Sequence, residues 1–245
     1  MRNPIKTIRE SPLWIRVVPF LLFLVLTFFQ GQFGEASKYW FYLIKTLLGV
    51  WMLVVMVPLV SEMRWRFSWS AVVAGIAVFA LWVGLSGHYP TLNQLWDGGL
   101  SLVGLADEGP AETNEEKPGE VWNPNDFFGG GAFLAWVFIV VRILGSSLVV
   151  PPLEEVFYRS FLYRYLIKSE FEEIPLGQFR WVPFLLISLF FGLAHFQWLP
   201  GILCGMIYQG LVCWKKRLGD AMTAHAITNF LLGLWVVWKQ DWQFW

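Results

Sequence analysis

AFLAWVFIVVRILGSSLVV, residues 132–150, is an apolar run broken by a single arginine, and PPLEEVFYRS, residues 151–160, follows it directly. A run of about twenty apolar residues is long enough to cross a bilayer as a helix. Beyond it, Glu154, Glu155 and Arg159 stand between apolar neighbours. Charges held near a hydrocarbon core are costly unless they are paired or wetted. The stretch therefore predicts a helical membrane protein and raises the question of what the charges are for.

The rest of the chain agrees with the membrane reading. Its 245 residues are 56% hydrophobic and 15% charged, whereas soluble domains are about a quarter charged. Apolar spans are expected at 13–30, 39–60, 69–85, 132–150, 181–197, 199–214 and 221–238, with 152–168 as a disputed eighth helix. The fold class is all-α, a polytopic bundle of about seven or eight transmembrane helices. A basic stretch with Arg2, Lys6, Arg9 and Arg16 precedes the first span. It also fits a signal peptide with Gly34-Glu35-Ala36 as the cleavage site, but the spans that follow at once favour an uncleaved anchor. No internal repeat is visible.

Basic residues set the orientation. The N-terminus, the Arg64/Arg66 turn, the Arg164/Lys168 stretch and Lys215-Lys216-Arg217 fall on one side when crossings alternate, and that side is expected to be cytoplasmic. The segment 86–131 carries Asp97, Asp107, Glu108, Glu112, Glu115, Glu116, Glu120 and Asp126 against Lys117 alone. Its Gly and Pro content predicts an irregular external loop that connects rather than folds as a domain. Eighteen basic residues balance eighteen acidic ones, so no nucleic-acid partner is expected. Trp14, Trp40, Trp65, Trp69, Trp181, Trp198, Trp214 and Trp238 fall at span ends, where the indole prefers the headgroup zone. Cys204 and Cys213 share one apolar run; on a helix they are about 13.5 Å apart, too far for a disulfide.

The polar residues of the second half form three pairs. Glu155 and Arg159 are four apart, glutamate first, the favourable order for an ion pair on a helix. Glu154 stands about 100° round the same helix. Pro151 and Pro152 suit a helix start. His195 ends FGLAH, four residues after Phe191, and His225 stands four residues before Asn229 in AMTAHAITNF; the third histidine, His88, has no evident partner. A carboxylate can act as general base on water, histidines can orient that water or hold a metal, and Asn or His can donate to an oxyanion. Such a set suffices for peptide hydrolysis. No G-x-S-x-G elbow and no H-E-x-x-H zincin helix is present.

These motifs resemble the CAAX protease and bacteriocin-processing (CPBP, or ABI) intramembrane proteases, and through them the type II CAAX prenyl endopeptidase. E-E-x-x-x-R is matched by Glu154, Glu155 and Arg159, F-x-x-x-H by Phe191 and His195, and H-x-x-x-N by His225 and Asn229. The resemblance covers about residues 130–235 and divides the chain into N-terminal helices with an external acidic loop (1–130) and a protease core (131–245). It implies an intramembrane endopeptidase in which Glu154 activates water, His195 positions it, and His225 with Asn229 stabilises the oxyanion. Glu155 and Arg159 would then orient and balance the site. The arginine-bearing helix with Arg142 also resembles exosortase-associated bacterial members, which points to a bacterial inner membrane with the N-terminus cytoplasmic. Partners would be a peptide or membrane-protein substrate and the lipid bilayer. The cofactor is either none or zinc, for which Glu154, His195 and His225 are the candidate ligands. A membrane transporter or proton pathway, and a non-catalytic immunity or scaffold protein, are the competing readings. One mismatch stands out: His225 comes about one turn into its span, whereas His195 comes about 22 Å along its own. Either the helix from Trp181 projects below the membrane, or the turn at 197–200 is sunk within the protein.

Overall fold

Helix is the only regular structure in the computed structural model, which describes residues 8–96 and 121–245. The acidic residues 97–120 of the expected external loop, and Arg2 and Lys6, lie outside the described residues. Seven helices of more than ten residues build the bundle: α1 (Trp14–Phe29), α2 (Glu35–Met56), α3 (Trp69–Leu85), α5 (Phe133–Tyr165), α6 (Trp181–Leu193), α7 (Trp198–Lys215) and α8 (Gly219–Lys239). A short α4 (Pro124–Phe128) precedes α5. Helices α2, α5 and α8 are long and apolar enough to cross a membrane, and α1, α3 and α6 are shorter apolar helices. The architecture is that of an integral membrane helical bundle.

Local chemistry sets several boundaries. Gly34, at φ +88°, makes the backbone turn between α1 and α2. The Ser68 hydroxyl accepts from the Ala71 amide at 3.3 Å and caps α3. Trp14, Trp69 and Trp181 begin their helices, and Trp214 and Trp238 stand in final turns; all five are exposed, as interfacial anchors should be.

One expectation is corrected. Residues 132–150 and 152–168 are not two helices that meet at a proline start; α5 runs unbroken from Phe133 to Tyr165. Proline inside an α-helix removes an amide donor and clashes with the carbonyl four residues back. Here the turn before it, Gly145–Val149, is π-helical, and Val156–Leu162 is π-helical again. A π turn closes its hydrogen bonds one residue later, which lets the chain carry Pro151 and Pro152 without a break.

Small residues bring the other helices together. A Cβ at Gly201 would lie 2.8 Å from Gly192 Cα, and one at Gly205 would lie 2.8 Å from Ser188 Cα, so α6 and α7 form a hairpin with touching backbones. Helices α3 and α8 run parallel. Gly75 packs on the Ala224 carbonyl, and the Thr228 hydroxyl donates to the Gly75 carbonyl at 2.8 Å. Close backbone approach of this kind is how helices associate where apolar burial gives no advantage over lipid.

All four basic stretches reach one end of the bundle. Arg16 and Arg164 both bond Glu62 in the α2–α3 turn, at 2.7 and 3.0 Å, and the Ser160 hydroxyl also donates to it. Burial alone would raise the Glu62 carboxyl, but the Ser160 hydrogen bond and the Arg16 charge hold it down to about 2, from an ordinary 4.5. Lys216 donates to the Gly177 carbonyl at 2.7 Å, and Gly219 abuts the backbone of Arg64 and Arg66. At the other end, Tyr39 donates to the Asn123 carbonyl at 2.8 Å, and Tyr39, Trp122 and Phe138 form an aromatic cluster.

Candidate active site

Glu155 and Arg159, one turn apart on α5, are both wholly buried and joined at 3.1 Å. His225 reaches them from α8, its Nδ1 lying 3.0 Å from the same Glu155 oxygen. A carboxylate acceptor at Nδ1 calls for a proton on that nitrogen. Nε2 faces the Glu154 carboxylate at 3.9 Å, beyond direct hydrogen-bond distance. The adjacent glutamates therefore have different surroundings: Glu155 is locked into an ion pair, and Glu154 lines a cavity of about 190 Å³.

That cavity collects all four of the expected catalytic residues, Glu154, His195, His225 and Asn229. They are not equally close. His195 stands in the turn after α6, with Nδ1 2.6 Å from the Phe191 carbonyl and its ring against Trp82 at 5.5 Å. Phe191 packs against both histidine rings, at 4.8 Å from His195 and 5.9 Å from His225. Phe191 also lies under the Arg159 guanidinium at 4.4 Å, which makes the first residue of F-x-x-x-H the packing centre of the site. Asn229 donates from Nδ2 to the Ser146 carbonyl at 2.8 Å and keeps a second amide hydrogen.

Helix α6 has 13 residues, about 20 Å of rise, and the turn at 194–197 that follows it places His195 in the cavity lining.

The candidate zinc ligands do not make a metal centre as arranged. Among the described residues, no group of three or more His, Cys, Asp or Glu side chains is placed to hold an ion. His225 Nδ1 is taken up by Glu155 and His195 Nδ1 by Phe191.

Several lining residues escaped the sequence reading. Tyr208 stacks on His225 at 5.1 Å while donating to Thr228 at 2.7 Å. Trp82, Tyr42 and Trp245 also line the cavity, as do Arg142 and Ser146. Nothing in local spacing marks them, because their partners come from other helices. Cys204 lines it too, and both cysteines are free. His88 is not among the cavity-lining residues, and its Nδ1 lies 2.9 Å from the Ser86 carbonyl.

Residues 132–231 match the family model for type II CAAX prenyl endopeptidase Rce1-like proteins. This stretch is an Rce1-like domain. It begins at the start of α5, ends within α8 and contains all three motifs, so the Rce1-like domain holds every expected catalytic residue. Helices α1 to α3 lie outside the match but pack into the same core through Phe20, Met52 and Val78. The domain is that of a CAAX-type membrane protease. No curated protein and no solved structure matches the chain.

Proposed function

We propose that the chain is an intramembrane endopeptidase that hydrolyses a peptide bond of a membrane-associated substrate with a glutamate-activated water. Residues 131–245 form its catalytic core, and the helices before them its scaffold. The observation that carries the reading is the approach of Glu154 on α5 to His225 on α8, 3.9 Å apart in a cavity shared with His195 and Asn229. A proton relay across a bilayer would string such groups out along the membrane normal instead.

Glu154 takes a proton from water as its oxygen attacks the scissile carbonyl carbon. The free amide hydrogen of Asn229 meets the oxyanion, and His195 orients the water from its place in the same cavity lining. His225 Nε2 receives the proton from Glu154 and delivers it to the leaving amine as the C–N bond breaks. Glu155 balances the imidazolium that forms in between. This gives His225 a proton-carrying role in place of the oxyanion donation that the family resemblance implied. The basic end of the bundle is the cytoplasmic one, in a bacterial inner membrane, and the substrate is the peptide end of a membrane protein.

The test compares wild type with Glu154→Gln in lipid, on membrane-proximal peptides, with and without a chelator. Cleavage should persist under chelation and vanish in the variant. Cleavage by the variant at the wild-type rate would end the glutamate reading. Loss under chelator, restored by zinc, would replace it with a metal-bound water. No cleavage by wild type on any peptide would favour a binding or scaffold role.

A further inference from the structure

Arg142 has no place in the chemistry above, yet it lines the same cavity. Its guanidinium is caged by aromatic rings, with Cζ 4.8 Å from the Tyr42 centroid, 4.5 Å from Trp122 and 5.6 Å from Trp245. Among the described residues it has no salt bridge and no side-chain hydrogen bond; Glu35, Asp126 and Asp241 of that end make no ion pair with it. Lys45 approaches the same Tyr42 ring at 4.6 Å and bonds only the Thr27 hydroxyl. Among the described residues, Arg142 is thus a guanidinium with no carboxylate partner inside a helix long and apolar enough to cross a membrane. Aromatic rings attract a guanidinium without using its N–H donors as a carboxylate would, and those donors can receive a carboxylate in a fork.

Arg142, Ser146, Val150 and Glu154 all line the cavity, at intervals of four along α5. In a plain α-helix, twelve residues at that spacing would drift about 120° round the axis. The π turn at Gly145–Val149 takes up much of the drift and keeps the arginine and the glutamate on one stripe. The two are separated by about 18 Å of helix rise, and because both side chains lean towards the helix N-terminus, their heads keep roughly that spacing.

We propose that Arg142 receives the C-terminal carboxylate of the peptide substrate, so that the span from Arg142 to Glu154 sets the length of the fragment released, about five extended residues at ~3.3 Å each. The site rests on the endopeptidase reading for its cleavage, but not for its binding.

The experiment measures binding of N-acetylated apolar peptides of two to eight residues, each as free acid and as C-terminal amide, to nanodisc-embedded Glu154→Gln protein. The acid should bind about 10- to 100-fold more tightly than the amide, as expected for a hydrogen bond to a charged group, with an optimum near five residues. Arg142→Met should remove the preference and leave amide binding as it was, while Arg142→Lys should keep part of it. Equal binding of acid and amide, or binding of neither, overturns the proposal on the unsubstituted arginine, whatever the variants' stability. An unchanged preference in Arg142→Met also overturns it. An amidated peptide ending in glutamate that binds as tightly as the acid would reassign the site to a side-chain carboxylate. Displacement of the peptide by phosphatidylglycerol would reassign it to lipid. Acid preference with no cleavage by wild type would sink the endopeptidase reading and leave the anchor standing.

Discussion

Glu154 and Glu155 differ by one position and by everything around them. Glu155 neutralises Arg159, and both are wholly buried. Removing one partner of a buried ion pair leaves an uncompensated charge, at about 3–5 kcal/mol. Glu155→Gln should therefore lower the thermal unfolding midpoint sharply, whereas Glu154→Gln should melt close to wild type and lose activity by about 10²- to 10⁴-fold, the range of general-base catalysis. Melting curves and cleavage rates on the two variants separate the roles; equal destabilisation by both would contradict the assignment. The glutamate–arginine pair and the Phe191, His195, His225 and Asn229 set were legible because each spacing of four is a property of a single helix. Arg142 stood out as a lone charge in an apolar run, but its cage did not, because Tyr42, Trp122 and Trp245 lie far away in sequence.

At the scale of elements, the sequence overstated the prolines and understated the glycines. Pro151-Pro152 read as a helix start because a π turn leaves no local signature; its extra residue is visible only as backbone geometry. Deleting Ser147 should convert the π turn to α and leave Arg142 and Glu154 within about 20° of one face, since eleven residues make about three α turns, whereas inserting a residue there should turn Arg142 away by about 100°. The insertion should abolish acid-over-amide discrimination in the binding assay while the deletion keeps it, and a deletion variant that loses it would contradict the stripe. Gly205 argues similarly for the α6–α7 hairpin. A side chain there meets the Ser188 backbone, and overpacking of that kind costs about 1–3 kcal/mol. Gly205→Leu should melt earlier and cleave more slowly, because the hairpin it opens carries His195 at its turn.

For the whole molecule, the basic end is held by Glu62, a residue the charge pattern did not single out because its partners Arg16, Ser160 and Arg164 come from α1 and α5. Its carboxyl is held at about 2 in the folded protein, below the ordinary 4.5. A depressed carboxylate contributes stability that is present above its unfolded value and is lost as pH falls through its folded one. The melting midpoint should therefore fall between pH 4.5 and about 2 more steeply for wild type than for Glu62→Gln; parallel curves would show that Glu62 is not the group responsible. The number and order of helices were legible in hydropathy alone. The α6–α7 hairpin was not, since it depends on backbone contacts between Gly192, Gly201, Gly205 and Ser188 that no span length reveals.

The π turn in α5 has a meaning for descent as well as for geometry. Buried helices rarely tolerate insertions, because one extra residue turns every later side chain to a new direction. Here the surplus has already been absorbed between Arg142 and Glu154. Under the carboxylate-anchor proposal, a related chain that gained or lost a residue in this interval would also change the length of what it cuts off. Among relatives, a gap of one position in that helix would then be a heritable trait, and product length could be ranked by counting residues between the arginine and the first glutamate.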